Sequence, residues 1–297
     1  MFGRLLLARH AAAVTSRKLP PVTGSAPPGQ STPRRRGWAA ITAGRLYYGG
    51  RIGAGALHAH YAAQLLIGEG LVLRGADGAE HAMSAALIPA NTPHAIAGGT
   101  ADGLLALIDP AQTGRLRPRQ AAGTAVGSAA CWRIDARPPA HRDLPTLAAL
   151  VDELVGTPPR PPTHPGLCQA LRIIDETLPG PVRLAAVAAA AHLSESRLSH
   201  VFREELGLPF RPYVLWARLR AALSALSCGA SLTEAAHAAG FADAAHMTRT
   251  VRTMMGDAPS ALAAGVHWIT PAQQHRSSID SRFVQASRPV GAPGSLT

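Results

Sequence analysis

Lysine, cysteine, aromatic residues and long apolar stretches are all scarce in this chain of 297 residues. Lys18 is the single lysine among 29 basic residues, the rest being arginines, and alanine is abundant. This bias is typical of GC-rich coding, so the arginine content does not by itself indicate phosphate recognition. Aromatic residues make up only 4% of the sequence.

The scarcity of cysteine and of apolar runs excludes several protein classes. Cys131, Cys168 and Cys228 lie far apart and form no CxxC or Cys/His ligand spacing. They are interpreted as reduced thiols rather than as a disulfide framework or a zinc site. No apolar run approaches the roughly 18 residues that mark a membrane helix. The leucine-rich start, residues 5–10, is too short and interrupted for a signal peptide.

The formal net charge of +11 is unevenly distributed. Residues 1–44 hold seven basic and no acidic residues, and we interpret residues 1–40 as a disordered basic tail. Residues 267–297, rich in Ser, Gln and Pro, are interpreted as a second disordered tail. Residues 165–267 hold nine arginines and eight acidic residues, which is less basic than a nonspecific DNA binder is expected to be. The length between the tails suits two domains.

Two segments near the C-terminus share one pattern at an offset of 49 residues. Residues 192–207 read HLSESRLSHVFREELG, and residues 241–256 read FADAAHMTRTVRTMMG. Each follows a short Ala-rich segment suited to a partner helix. Two helix-turn-helix units at a fixed separation are suited to reading two successive turns of one DNA groove.

Capping residues support this interpretation. Ser194 is a good N-cap for the second helix of the first unit, and Gly207 suits the position after its end. Ser231 and Glu234 have capping-box spacing, and Asp243 is placed to cap the last helix. The predicted buried stripes are Leu198, Val201, Phe202 and Leu206 in the first unit and Met247, Val251 and Met254 in the second.

The opposite faces of the two helices are predicted to contact DNA. In the first unit these residues are Ser196, Arg197, Ser199, His200 and Arg203; in the second they are Ala245, His246, Thr248, Arg249 and Arg252. Arg249 suits a bidentate contact with guanine, and Ala245 or Thr248 suits a thymine methyl group. Arg197 and His246, on the flanks, are equally suited to phosphates. The segment between the units, residues 209–229, predicts a linker helix about 24 Å long. Its apolar residues are predicted along one side: Val214, Leu215, Leu219, Ala222, Leu223 and Leu226.

Residues 165–265 resemble the DNA-binding domain of the AraC/XylS family of bacterial transcription regulators. The resemblance rests on LAAVA at 184–188, LSESRLS at 193–199, FREELG at 202–207 and AAHAAGFAD at 235–243, with residues 249–260 adding to it. It implies double-stranded promoter DNA as a partner and contact with RNA polymerase. It also implies a bacterial cytoplasmic location, at the nucleoid when bound to DNA.

Residues 41–112 carry short apolar runs separated by turn signals, among which Asp77–Gly78 is a strong hairpin signal. Many short strands at this spacing predict a sandwich or barrel. Residues 53–64 and 88–94 resemble the two cupin motifs, which implies a small β-barrel serving as an effector domain. The fold class predicted for the chain is therefore α+β: an N-terminal cupin-like β-barrel and a C-terminal all-α domain with two helix-turn-helix units joined by a linker helix.

His58, His60, Gln64 and His94 are the candidate effector-binding residues. Alternate positions 58 and 60 point to one side of a strand, so these histidines with His94 are also metal-ligand candidates. Gln64 stands where metal-binding cupins usually have Glu. We therefore predict no cofactor and no metal, with the three histidines lining a ligand pocket or packing at the barrel mouth.

Residues 113–163 are interpreted as a helical connector followed by a Pro-rich linker, with the DNA-binding domain at 164–266. Leu144, Leu147, Leu150, Val151 and Leu154 form a helical stripe. It either packs on the barrel or forms a homodimer interface. Residues 158–162, with four prolines, suit a semi-rigid linker.

The sequence thus predicts a sequence-specific, non-enzymatic transcription regulator controlled by a small-molecule effector. A cupin-type metalloenzyme, a dioxygenase or isomerase with a helical tail, is the alternative, and it gives no reason for the repeat. A nonspecific architectural DNA protein is a third class, and it predicts strong salt dependence with little sequence discrimination.

Overall fold

The computed structural model describes residues 37–42, 44–113, 127–155, 162–255 and 266–270. Eight strands of the described residues form one sheet in the order β3-β6-β4-β7-β2-β1-β8, with β5 pairing β4 on a branch. The strands are β1 Gly37–Thr42, β2 Arg45–Ile52, β3 Gly55–His58, β4 Ala63–Gly75, β5 Glu80–Ile88, β6 His94–Gly98, β7 Thr100–Ile108 and β8 Val266–Ile269.

Strand β4 joins the two parts of the sheet. Its first half pairs β7 and its second half pairs β6, while β5 runs antiparallel along both halves. The register shifts between Ile67 and Leu71, where Gly70 has φ 72°. The sequence has one apolar run before Gly70 and another after it. Both belong to the single bulged strand β4. The β4–β5 turn contains Asp77 and Gly78, as the hairpin signal predicted.

The apolar run at the start of β4 is buried on both faces. Leu65 and Ile67 pack in one cluster with helix α2, Leu144–Val155, whereas Leu66 packs in another with Trp132. Helix α2 buries Leu144, Leu147 and Val151 of the predicted stripe. Of the two expectations for this stripe, packing on the sheet is therefore the one seen in the structure.

The boundaries of the sheet domain are wider than 41–112. Strand β1 begins at Gly37, because residues 37–40 pair with β2, so they are not part of a tail. Residues 127–134 belong to the sheet domain and not to a connector: Ala129, Cys131 and Trp132, in the 3₁₀ helix Ala129–Trp132, fill the core beside β4 and β5. The Ile134 amide donates to the Ala85 carbonyl.

The C-terminal boundary also differs from the prediction, because strand β8 belongs to the sheet. It pairs parallel with β1, from Gly37 opposite Val266 to Ala40 opposite Ile269. Residues 267–269 therefore belong to the sheet and not to the C-terminal tail. The rest of both predicted tails, residues 1–36 and 271–297, and the linker residues 156–161 lie outside the described residues.

The other regular elements of the described residues are helices, including the 3₁₀ helix Ala129–Trp132. A single helical turn, α1 Pro110–Thr113, follows the sheet; after α2 come α3 Pro165–Thr177, α4 Leu184–Ala190, α5 Glu195–Leu206, α6 Phe210–Ser227, α7 Leu232–Ala238 and α8 Ala244–Met255. Helices α5 and α8 lie in the two repeated segments, α4 and α7 are the Ala-rich segments before them, and α6 is the predicted linker helix. No helix in the described ranges is both long and apolar enough to cross a membrane.

The predicted caps are confirmed. Ser194 Oγ accepts from the Arg197 amide, and Gly207 ends α5 with φ 68°. Ser231 and Glu234 form a reciprocal capping box at α7. Asp243 Oδ1 accepts from the His246 amide at 2.6 Å. These local signals fix where three of the four short helices begin, because each side chain satisfies an amide that has no partner within its helix.

Replacing Ser194 with alanine is expected to lower the free energy of unfolding by about 1 kcal/mol, because the first turn of α5 loses its capping acceptor. Chemical denaturation followed by circular dichroism measures the change. Ser224→Ala, on the exposed face of α6, is the matched control and should be nearly neutral. Equal effects of the two substitutions would show that the cap contributes nothing.

Helix α6 is buried on more than the one side that the sequence predicts. Leu219, Ala222 and Leu223 are buried as expected, but so are Tyr213 and Trp216. The cluster around α6 also contains Ala62 and Leu107 of the sheet domain. The helical core thus extends to one part of the sheet domain, while the two other apolar clusters lie within the sheet domain and α2.

Candidate functional site

The outer face of α5 carries its predicted DNA-contacting residues at the surface. Ser196, Arg197, His200 and Arg203 are exposed and Ser199 is half-buried, while Leu198, Val201, Phe202 and Leu206 are buried on the other face. Phe202 packs edge-to-face on Phe210 and Tyr213, which fixes α5 against α6. His200 Nε2 lies 3.3 Å from Glu204 Oε2, so an acidic group stands beside this face.

Helix α8 repeats the arrangement. Ala245, Arg249 and Arg252 are exposed, and neither arginine side chain has an ion-pair partner within the described chain. Thr248 is half-buried at the edge of this face. His246 is half-buried and packs edge-to-face on Phe241 at 5.4 Å, so its ring is held rather than free. Both arginines are thus available to an external partner.

The second candidate site lies at one end of the sheet, where β3 and β6 pair. His58 and His94 are opposite each other in this pairing. Strand β3 ends at His58, so His60 lies in the following bend rather than in the strand, yet the rings still meet. His58 Nε2 is 3.1 Å from His60 Nε2, and one ring nitrogen of each histidine lies within 4.8 Å of the others.

Burial keeps two of the three rings neutral. His60 and His94 are 4% and 1% exposed, whereas His58 is half-buried. Burial, followed by the charges of His94 and His58, lowers the pKa of His60 well below its ordinary value. Burial also lowers the pKa of His94 to about 4. Neutral imidazoles with free lone pairs are the form that binds metals or accepts hydrogen bonds.

Gln64 joins this cluster at the start of β4, with 2% of its surface exposed. The Gln64 side chain and the backbone of Met254 in α8 both raise the pKa of His60, although burial has the larger, opposite effect. The predicted effector-binding residues His58, His60, Gln64 and His94 are therefore together in the structure. Whether they bind an effector stays a prediction.

Two neighbours of the cluster were not predicted from the sequence. Trp132 packs edge-to-face on His94 at 6.1 Å, and the backbone of Met254, in the helical domain, raises the pKa of His60 against the larger effect of burial. Met254 was identified only as a member of the apolar stripe of α8. No spacing pattern signals either contact, because both depend on how distant segments pack.

Comparison with known proteins bears on the helical part of the chain. Residues 187–265 match the family described as helix-turn-helix domain. These residues are an AraC-type helix-turn-helix domain. The match begins within α4 and covers α5 to α8, so it contains all ten predicted DNA-contacting residues of the AraC-type domain.

Several solved structures are similar to parts of the chain. One is a transcriptional regulator from Chromobacterium violaceum, described as an AraC-type DNA-binding domain-containing protein, with 24% identity over 33% of this chain and 88% of that chain, at a TM-score of 0.32. Another is ToxT from Vibrio cholerae O395, with 10% identity over 74% of this chain and 96% of that chain, at 0.48. The C-terminal domain of AraT, a response regulator from Geobacillus stearothermophilus, has 23% identity over 33% and 83%, at 0.31. No curated protein matches the sequence.

The AraC-type domain touches the sheet domain at two polar points. Trp216 of α6 donates from Nε1 to Asp109 Oδ2 at 3.1 Å, and Arg220 Nε lies 3.2 Å from the same oxygen. At the other point, α8 meets β3 beside the histidines, where the Met254 backbone acts on His60. The candidate effector site is therefore in direct contact with the last helix of the AraC-type domain.

Proposed function

We propose that the chain is a sequence-specific transcription regulator in which two helix-turn-helix units read promoter DNA and a cupin-like domain binds a small-molecule effector. The match of residues 187–265 to an AraC-type domain carries this proposal. Neither site is assigned a catalytic role.

The exposed faces of the two helix pairs support DNA reading. Helices α5 and α8 are the second helices of their pairs, each with one buried stripe and one exposed face. Recognition helices enter the major groove in this manner, and two units suit sites about 34 Å apart along the duplex. Arg197, Arg203, Arg249 and Arg252 supply guanidinium groups for phosphates and guanine edges.

The effector site is assigned to His58, His60, Gln64 and His94. Buried polar atoms in this cluster have no hydrogen-bond partner within the described chain, and such atoms are suited to hold a ligand. An effector acts on DNA binding only if it binds one arrangement of the two domains better than another. The contact between the cluster and α8 gives it a way to do so.

The remaining assignments follow from the same function. The regulator acts in the bacterial cytoplasm, at the nucleoid when bound to DNA, and works with RNA polymerase. A homodimer is part of the proposal, although the apolar face of α2 is covered by the sheet, which leaves the dimer surface to another part of the chain.

Selection of bound fragments from a genomic library by the purified full-length protein tests the function. We expect enrichment of one motif with two half-elements about ten base pairs apart, because the two recognition helices would face the same side of the duplex. Equal recovery of all fragments, with binding that falls steeply with salt, would instead indicate a nonspecific DNA protein.

Replacing Arg249 with alanine is expected to weaken binding to the selected site by about 1–3 kcal/mol and to relax the preference at one base position. The reason is the loss of a guanidinium group able to pair with a guanine edge from the exposed face of α8. Fluorescence anisotropy with single-base variants of the site measures both effects. Arg51→Ala, an exposed arginine of the sheet domain, is the control. Uniform weakening on all sequences would reassign Arg249 to a phosphate contact.

The cupin-type metalloenzyme, a dioxygenase or isomerase, is the alternative, and the cluster of three histidines favours it. It predicts turnover that is lost in His60→Ala together with no preferred DNA sequence. A recovered DNA motif would exclude it as the main function, since that class gives no role to the exposed faces of α5 and α8.

A further inference from the structure

Helices α5 and α8 correspond residue by residue but differ in charge. Each has 12 residues, and α8 begins 49 positions after α5, so that Ala244 corresponds to Glu195. Helix α5 holds two arginines and three glutamates, whereas α8 holds two arginines and no acidic residue. DNA phosphates are negative, so carboxylates beside them oppose the attraction that arginines provide. The two helices therefore cannot attract DNA equally.

One of the three glutamates is bound within the protein. The Glu205 carboxylate, in the last turn of α5, accepts from the Thr163 amide at 2.6 Å, from the Thr163 hydroxyl at 3.0 Å and from the His164 amide at 2.9 Å. It joins α5 to the start of α3 and is not available to DNA. Glu195 and Glu204 are both exposed, so their charges are the ones that act on a DNA ligand.

Glu204 lies beside the outer face of α5, where α8 has a neutral residue. Its Oε2 is 3.3 Å from Nε2 of His200, one turn earlier. The corresponding residues of α8 are Thr253 and Arg249. Thr253 Oγ1 donates to the Arg249 carbonyl at 3.0 Å, which satisfies the hydroxyl within the helix. No carboxylate of the described chain pairs with the Arg249 guanidinium, so α8 presents this charge undiminished.

The last arginines of the two helices differ in the same way. Arg203 Nη1 donates to the Ser199 carbonyl of its own helix at 3.4 Å, and the exposed Glu204 follows it in the chain. Arg252 corresponds to Arg203, and its side chain has no ion-pair partner within the ranges that the structure describes. Arg252 is therefore the better placed of the two to neutralise a phosphate.

Glu195 is the first residue of α5, and its exposed carboxylate has no ion-pair partner among the described residues. Ser194 caps this helix through the Arg197 amide, so the cap does not require Glu195. The first residues of a recognition helix are those that contact base edges. A carboxylate there accepts from the amino group of cytosine and is repelled by the acceptor oxygens of guanine and thymine. Ala244 offers α8 no such group.

We propose that α8 provides most of the electrostatic attraction to DNA and that Glu195 of α5 selects cytosine at one position of the other half-element. This inference rests on the proposed reading of DNA by both helices. A carboxylate in the groove weakens binding to every sequence, but least to the one that supplies an amino-group donor. Glu195 therefore determines specificity mainly through the bases that it rejects.

Glu195→Gln tests the selection, because it removes the charge and keeps the size of the side chain. Fluorescence anisotropy of the full-length protein should show affinity rising about 10-fold for sites with guanine or thymine at the cytosine position, and changing less than about threefold for the selected site. Glu69→Gln, an exposed glutamate of the sheet domain, is the control and should change neither. An equal rise on all sites, or a loss of stability without a change in base preference, would overturn the role of Glu195 in selection.

The salt dependence of affinity tests the division between the helices. Arg252→Ala should lower the slope of log affinity against log salt by about one, as expected for a lost phosphate contact, and the corresponding Arg203→Ala should lower it by less than about half as much. Both arginines are exposed, so neither variant is expected to unfold the protein. Equal losses, in a protein that still selects a two-part motif, would overturn the division and leave the regulator function standing. Binding without any preferred motif would overturn both.

Discussion

Replacing Asp109 with alanine is expected to lower the free energy of unfolding by about 3 kcal/mol. The Asp109 side chain is 3% exposed at the end of β7, where its Oδ2 faces the Trp216 indole N–H and the Arg220 guanidinium. Removing one partner of a buried ion pair costs about 3–5 kcal/mol, because the other charge is left without compensation. The lower figure applies because Arg220 keeps Asp175 as a second partner at 3.2 Å.

Thermal and urea denaturation of the full chain measure this loss. Asp102→Ala is the matched control, because Asp102 also contacts an arginine at 3.4 Å but its side chain is 65% exposed. Exposed pairs contribute about 0–1 kcal/mol, so this variant should unfold almost as the unmodified protein does. If Asp109→Ala were as stable as Asp102→Ala, the buried contact would not hold α6 against the sheet domain.

The same contact bears on regulation. Asp109 belongs to the sheet domain, whereas Trp216 and Arg220 lie in the helix between the two helix pairs. Any movement of the sheet domain against α6 must break or rearrange these bonds. We therefore expect Asp109→Ala to reduce the effect of a bound effector on DNA affinity as well as the stability, because the two domains are then less firmly joined.

Sequence reasoning predicted the helical domain well because its signals are local. The hydroxyl of Ser194, the capping box at Ser231 and the positive φ of Gly207 each act within a few residues of themselves. Heptad-like spacing likewise identified Phe202 and Val251 as buried. These signals need no knowledge of the rest of the fold, so they could be read from one chain.

Contacts between distant segments could not be predicted in the same way. Asp109 follows a strand and looks like an ordinary turn residue, yet it is buried because α6 covers it. Strand β8 is only four residues long and pairs with a strand more than 200 positions earlier. Tyr213 and Trp216 are not among the residues predicted on the apolar side of α6, so a helix buried on more than one side was missed. Residues 58, 60 and 94 were grouped through their resemblance to a motif, but the motif does not show that the carbonyls of Ala56 and Thr92 accept from Nδ1 of His58 and His94.

Replacing Gly240 with alanine is expected to cost about 3 kcal/mol of stability and to abolish reading of the two-part DNA site. Gly240 has φ 75° in the turn between α7 and α8, a conformation that costs an alanine about 1–2 kcal/mol. An added Cβ would also collide with the carbonyl oxygen of Pro179 and lie 2.8 Å from Arg218 Nη1. The carbonyl is part of the backbone and cannot turn aside, so overpacking adds to the strain.

Alanine at Gly207 or Gly229 is the control that shows the effect of backbone strain without a steric collision. Their φ angles are 68° and 90°, but a Cβ at either position meets no atom within 4 Å. Alanine there should cost only the backbone strain, about 1–2 kcal/mol. Pro179 directly follows the C-cap of α3, in the loop that leads to α4, so Gly240 is where the turn of the second helix pair rests against the segment before the first pair. Its substitution should therefore reduce binding to DNA with both half-elements far more than binding to DNA with one. Equal losses on both DNAs, or equal losses in all three variants, would show that this close approach does not set the spacing of the two recognition helices.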